Sequence, residues 1–327
     1  MMFDQKIYFG APGTGKSFEI NKQLANIPNS QIFRVVIHPE YSYLDFIGQL
    51  LPYKDSNGTG FKFFPGVLTL ALMKAYEDLS KDVYLVLEEL SRGNVSAIFG
   101  DIFQLLDRNE KFESEYPIRN ENITSHIPQI TDDQLVFPSN FNILCSVNTN
   151  DQNVFPMDTA FKRRFDWIYV SPRPAETVPG TIDKKLNNPL ILIKYSLGDF
   201  EMNWQSFYWS LNRFITDKSN GLGLNEDKQI GQFFIKFDSK DINASNSPGD
   251  PYYQSAQKNI IKIIKNKLLL YLWQDIHGVA GFSDIKLFRD DISNFDDLYI
   301  KYENDQVFSD NFISNYLIKD KDKFGYL

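Results

Sequence analysis

Short apolar runs alternate with amphipathic stretches along the first half of the chain. Residues 5–9, 32–37 (Ile-Phe-Arg-Val-Val-Ile), 83–87 (Val-Tyr-Leu-Val-Leu) and 141–147 (Phe-Asn-Ile-Leu-Cys-Ser-Val) are rich in β-branched and aromatic residues, the pattern of buried strands. Helix-compatible stretches near 17–26, 66–80 and 94–108 separate them. Strands alternating with helices predict an α/β fold, a parallel sheet with helices on both faces. A fifth run, Trp167-Ile168-Tyr169-Val170, closes this region before Pro172 and Pro174 break it. Between 109 and 140 the chain is polar and turn-rich, which predicts a hairpin or an irregular insertion.

Beyond the prolines the period changes. Apolar spacing over 185–218 and 254–276 is helical, as in Ile260, Ile261, Ile263, Ile264, Leu268, Tyr271 and Leu272. Lys258, Lys262 and Lys265 interleave with the last of these and read as a solvated helix face in preference to a nucleic-acid face. The stretch 238–251, with Ser, Asn, Asp, Gly and Pro, reads as a loop. The expected organisation is an α/β domain over 1–172 and a smaller helical domain over 173–327.

Composition narrows the function classes. With 43% hydrophobic and 15% aromatic residues in 327, the chain can fill real cores and is not globally disordered. A net charge of −8 argues against a protein that coats nucleic acid through bulk electrostatics, so any DNA contact is expected to be local or supplied by a partner. No segment is apolar over the length of a membrane span, and the N-terminus lacks a basic-then-apolar signal pattern. The single Cys145 permits no internal disulfide, which fits a cytoplasmic protein. His38, His126, His277 and Cys145 are too scattered to suggest a metal-ligand cluster.

The chemistry is carried by a few short segments. Gly10-Ala11-Pro12-Gly13-Thr14-Gly15-Lys16-Ser17 is a complete phosphate-binding loop between a strand and a helix pattern. Its glycines let backbone N–H groups turn toward phosphates, and the following helix N-terminus adds positive potential. Lys16 can reach β- and γ-phosphates, and the Ser17 hydroxyl can ligate Mg²⁺. The strand run 83–87 ends in Glu88 and Glu89. In phosphate-loop enzymes the first such acid holds Mg²⁺ and the second orients and deprotonates water. Glu88 stands where Asp is usual, which moves its carboxylate by one bond. Asn148, with Thr149, Asn150 and Asp151, ends another strand run; it reads either as a polar amide beside a γ-phosphate or as an Asn-rich turn. Arg163 and Arg164 close a short helical pattern, either as dipole-complementing surface charge or as fingers toward a neighbouring subunit's phosphate.

The order of these motifs resembles that of the AAA+ superfamily, and within it the chain is similar to the McrB-like family. The segments "HPEYSYLDFIGQLLP" (His38–Pro52), "FFPGVLTLALMKA" (Phe63–Ala75), "EELSRGNVSAIFGDIFQLLD" (Glu88–Asp107) and "FPSNFNILCSVNTNDQ" carry the likeness in the α/β domain. "LNRFI" (Leu211–Ile215), "QIGQFFIKF" (Gln229–Phe237) and "NKLLLYLWQD" (Asn266–Asp275) carry it in the helical one, a lid in this family.

The resemblance implies that Gly10, Ala11, Pro12, Gly13, Thr14, Gly15 and Lys16 hold the nucleotide, with Ser17 and Glu88 on the Mg²⁺ side. It implies Glu89 as base, Asn148 as sensor with Asp151 as its motif partner, and Arg163 and Arg164 as fingers. Four departures bear on hydrolysis and nucleotide preference more than on fold. Glu88 replaces Asp, Ser91 replaces Asn before Arg92, Gln152 replaces Arg, and Gln232 replaces His in the lid. The implied activity is Mg²⁺-dependent hydrolysis of GTP or ATP by a ring, hexameric in form. Such a ring would drive DNA translocation or activate a McrC-like endonuclease in restriction and anti-phage defence. The AAA+ pattern begins at residue 5, so the expectation is that DNA recognition comes from a partner or through the ring pore. The competing expectations are a chaperone-like protein remodeller with no DNA step, and a nucleotide-holding scaffold that hydrolyses weakly.

Overall fold

The computed structural model describes residues 3–55, 58–148, 155–280 and 284–324. Its contacts separate two compact units, Met1–Phe9 with Lys16–Tyr169, and Gly10–Gly15 with Val170–Leu327.

The first unit is built on a five-stranded sheet. In chain order its strands are β1 (Gln5–Gly10), β2 (Ile32–Val36), β3 (Gly48–Asp55), β4 (Gly58–Pro65), β5 (Val83–Glu88), β6 (Ile118–Arg119), β7 (Gln134–Leu135), β8 (Phe141–Asn148) and β9 (Asp166–Tyr169). The sheet runs β2-β5-β8-β1-β9 and is parallel. All five runs expected from the sequence are therefore its strands. The central strands β5 and β8 are buried on both faces until their last residues, Glu88 and Asn148. That burial is why they read as continuous apolar runs rather than alternating ones. Parallel pairing puts the carboxyl ends of the strands along one edge, where open α/β sheets bind ligands.

The helices of this unit are α1 (Lys16–Gln23), α2 (Tyr43–Ile47), α3 (Val67–Glu77), α4 (Val95–Phe99), α5 (Glu121–Thr124) and α6 (Thr159–Lys162). On α3 the positions Leu68, Ala71, Leu72 and Ala75 are buried while Lys74 and Glu77 ion-pair in solvent, the amphipathic spacing of a covering helix. Ser42 and Asp45 form a reciprocal capping box that starts α2. The insertion over 109–140 holds only the short antiparallel pair β6–β7 and α5. β3 and β4 form a separate antiparallel hairpin whose Leu50, Tyr53, Phe61 and Phe64 are exposed.

One cation helps to tie the insertion down. Arg108 donates to the carbonyls of Phe112 (3.1 Å), Phe137 (3.0 Å) and Phe141 (3.1 Å), and its guanidinium lies against the rings of Phe3 and Phe137. Burial lowers its pKa to about 9, which still leaves it charged at neutral pH. Arg108→Met keeps the stem but removes every donor. The Phe112 bond is exposed and the Phe137 carbonyl keeps the Ser114 N–H, so the loss is about that of one buried hydrogen bond to a charged group, roughly 1.5–3 kcal/mol of unfolding stability. Urea unfolding measures it, and an unchanged midpoint would mean that these carbonyls find water instead.

The second unit contains the hairpin β10 (Glu176–Val178) and β11 (Thr181–Ile182), then β12 (Leu190–Ile193) and β13 (Phe200–Asn203), then mostly helix. Its centre is α7 (Trp204–Thr216), where Trp204, Phe207, Tyr208, Leu211, Phe214 and Ile215 are all buried. Asn212, buried on the same helix, both donates to the Ile230 carbonyl (2.7 Å) and accepts from the Ile230 N–H (2.9 Å). Helical spacing over 185–218 holds only from Trp204 onward. Residues 190–203 form a hairpin instead, with Ile191 and Ile193 inward and Gly198 at φ +130° in its turn. The expected loop over 238–251 contains α8 (Ser239–Ser245), started by Asp238 accepting from the Lys240 N–H at 2.8 Å. After it, α9 (Tyr253–Lys267) buries Ala256, Ile260 and Ile264 and leaves Lys258 and Lys262 exposed as expected for a solvated face, whereas Lys265 is largely covered and lies over the Tyr299 ring. No helix among the described residues is long and apolar enough to cross a membrane.

Candidate active site

The loop Gly10–Gly15 is held by backbone bonds within the second unit. The Gly231 N–H donates to the Pro12 carbonyl (2.8 Å) and the Phe233 N–H to the Gly13 carbonyl (2.9 Å). Gly13 has φ +76°, and a Cβ there would run into the backbone of Phe234. Only glycine satisfies both the conformation and the close approach. Within the loop, Thr14 Oγ1 donates to the Ala11 carbonyl at 3.0 Å. Gln232, between the two donors, is almost fully buried and accepts from the Ala175 N–H at 2.8 Å. Its backbone carbonyl accepts from Asn187 (2.8 Å) and Trp204 (2.9 Å), so this position is a structural knot of the second unit.

The first unit holds the other groups. Lys16 and Ser17 open α1, Lys16 buried and Ser17 exposed. The Ser17 hydroxyl donates to Glu88 Oε2 at 3.2 Å, across 71 residues of sequence. The other carboxylate oxygen of Glu88 is ion-paired to Arg34, on β2. Glu89 turns away from Glu88. Its backbone is left-handed (φ 56°, ψ 37°), a conformation costing ~1–3 kcal/mol for a non-glycine residue and kept where surrounding structure demands it. The side chain accepts from Asn148 Nδ2 at 2.7 Å and pairs with Arg92 Nε at 3.4 Å.

The structure thus brings Ser17, at the start of α1, to Glu88 at the end of β5, and Asn148, at the end of β8, to Glu89. Ser17 and Glu88 offer two hard oxygen donors side by side, a set that suits Mg²⁺ completed by phosphate oxygens and water. Asp151, with Thr149, Asn150 and Gln152, lies outside the described residues.

The two arginines part company. Asp158 caps α6 by accepting from the Phe161 N–H at 2.6 Å, and the chain leaves the helix at Arg163. Arg163 is exposed. Arg164 is ion-paired to Asp107, donates to the Ala160 carbonyl at 2.8 Å and lies 4.2 Å from the ring centroid of Phe103. Its side chain is only 10% exposed and is engaged within its own chain. Arg34 is not legible as a site residue in the sequence, because a lone arginine in an apolar strand run carries no motif.

Known proteins resemble this chain in sequence. A family profile described as "AAA domain (dynein-related subfamily)" matches residues 7–165. The Type II restriction enzyme BsuMI component YdiS of Bacillus subtilis (strain 168) is 30% identical over 333 aligned positions, covering 93% of this chain and 87% of that protein. The Type IV methyl-directed restriction enzyme EcoKMcrB subunit of Escherichia coli (strain K12) is 28% identical over 168 positions, which is 50% of this chain and 34% of that protein. A crystal structure of a candidate ATPase from Cytophaga hutchinsonii aligns over 96% of this chain and 76% of that one, with a TM-score of 0.33 and 12% identity. So loose a superposition carries no weight.

Proposed function

The chain belongs to the McrB-like AAA+ proteins, a class of nucleoside triphosphatases, and from that premise we propose that it is the Mg²⁺-dependent motor subunit of a restriction system. The observation that carries this reading is the separation of the two acids. Glu88 meets Ser17, and Glu89 meets Asn148. In this reading one carboxylate serves the metal side and the other the attacking water. In this reading Gly10–Gly15 and Lys16 hold the phosphates of GTP or ATP. When bound, Mg²⁺ neutralises charge on the β- and γ-phosphate oxygens. Asn148 holds Glu89 toward the water, and Glu89 takes its proton. Arg163 completes the site of a neighbouring subunit in a ring, taken here as a hexamer. The likeness to two restriction components supports a cytoplasmic role with a McrC-like endonuclease partner and DNA, met through that partner or the ring pore.

The test is steady-state turnover of GTP and ATP side by side, with and without duplex DNA, with Lys16→Ala as control. The expected result is Mg²⁺-dependent turnover that DNA stimulates and that Lys16→Ala abolishes by removing the charge at the β- and γ-phosphates. Turnover indifferent to DNA but stimulated by an unfolded protein would replace this reading with a protein remodeller.

A further inference from the structure

Glu88 has one more methylene than the aspartate usual at this position, and therefore one more torsion to fix before it can serve a metal. Something must hold it, and the structure shows what does. In the sheet Arg34 pairs in register with Val86, and Val36 with Glu88. Residues two apart on a strand share a face, so Arg34 and Glu88 rise from the same side of the sheet as diagonal neighbours. Arg34 uses both ends of its fork. One terminal nitrogen pairs with Glu88 Oε1, and the other donates to Asn21 Oδ1 at 2.6 Å. Asn21 lies four residues after Ser17, one turn along the same helix. The remaining carboxylate oxygen, Oε2, is the one that meets Ser17.

We propose that Arg34 is a positioning residue for the metal side of the site. It joins α1 to the end of β5 and so aims Glu88 Oε2 at the position shared with Ser17. A planar guanidinium suits this task because its two donors are held at a fixed angle; a lysine offers one point charge on a flexible stem. A cation so near a metal also opposes Mg²⁺ by repulsion. Two features limit that effect: Arg34 contacts the carboxylate oxygen away from Ser17, and its side chain is 32% exposed, where water screens charge. Positioning therefore outweighs repulsion. The proposal rests on Ser17 and Glu88 being the metal-side pair.

Binding of a fluorescent nucleotide to the full chain, titrated with Mg²⁺, tests it without relying on turnover. Removing a group that orients a metal ligand typically weakens metal affinity ~10–100-fold, and Arg34→Gln is expected to raise the half-saturating Mg²⁺ by that factor. Nucleotide affinity in EDTA and the thermal melt should stay at wild-type values. Arg34→Lys should fall between the two. Glu88→Asp alone should also raise the Mg²⁺ requirement, because the shorter arm cannot reach Arg34 and Ser17 together. In the Arg34→Gln background the same change should add little. An unchanged Mg²⁺ requirement in Arg34→Gln overturns the proposal. A lowered one makes Arg34 a latch competing with the metal, and overturns it in the other direction. Glu88→Gln separates the two layers of argument. If it shifts the Mg²⁺ requirement while Arg34→Gln does not, only the positioning role fails; if neither shifts it, the assignment of Glu88 to the metal fails as well.

Discussion

Arg163→Ala is expected to bind nucleotide normally and to lose about 10³–10⁵-fold in turnover, the worth of an arginine finger in phosphoryl transfer. The finger acts on charge that develops between the β- and γ-phosphates, so its loss falls on kcat rather than on ground-state affinity. Sequence order nominates both Arg163 and Arg164, and their surroundings divide the labour. Arg164 is committed to Asp107, the Ala160 carbonyl and the Phe103 ring. Removing it would strand Asp107 and expose that ring, so Arg164→Ala should lower the melting temperature. Arg163 is exposed beside it at the end of α6, and in the proposed ring it is the arginine left to act as the finger. A finger supplied by a neighbour has two further consequences. Turnover per subunit should rise with protein concentration as rings assemble. Mixing Arg163→Ala with Lys16→Ala should recover activity, since the first contributes an intact phosphate site and the second an intact finger. Turnover that ignores concentration, with no recovery on mixing, would mean a self-contained site and would remove the ring from the account.

How far these features are legible in the sequence depends on whether local pattern and tertiary environment agree. The five sheet strands are readable because β5 and β8 are buried on both faces, which leaves nothing but apolar residues until Glu88 and Asn148 break the run. The phosphate loop is readable because its glycines answer local demands, such as the φ of +76° at Gly13. The segment 190–203 reads as helix and is not. Two strands of four residues are too short for alternation to outweigh the helical period of the following α7. The β3–β4 hairpin leaves no core signature to find, since Leu50 and Phe61 stay exposed. Arg34 and Arg108 are invisible for another reason. Arg108 reaches carbonyls up to 33 residues away and Arg34 a carboxylate 54 residues away, so neither has a spacing that a motif could encode. The two acids can be named from sequence, but only the fold shows that they face different partners.

Glu89→Gln is expected to keep nucleotide binding and to cut turnover by about 10²–10⁴-fold, the usual share of a general base. The substitution preserves size and torsions. The amide side chain would sit on the same left-handed backbone at the same cost, and its oxygen could still accept the Asn148 Nδ2 bond that Glu89 accepts at 2.7 Å. What it loses is the capacity to take a proton and the charge that pairs with Arg92 at 3.4 Å. That pair is partly exposed and so contributes ~1 kcal/mol at most to stability, which predicts an almost unchanged melt. Glu89→Gly provides the complementary control. It removes the base and also relieves the positive-φ strain, worth ~1 kcal/mol or more, so it should be inactive yet no less stable than the wild type. An inactive but stable pair of variants would tie Glu89 to chemistry rather than to folding. The comparison that would undo the assignment is Glu88→Gln. If that variant stops turnover with its Mg²⁺ requirement unchanged while Glu89→Gln still turns over, the base is Glu88, and the hydrogen bond from Asn148 holds a bystander.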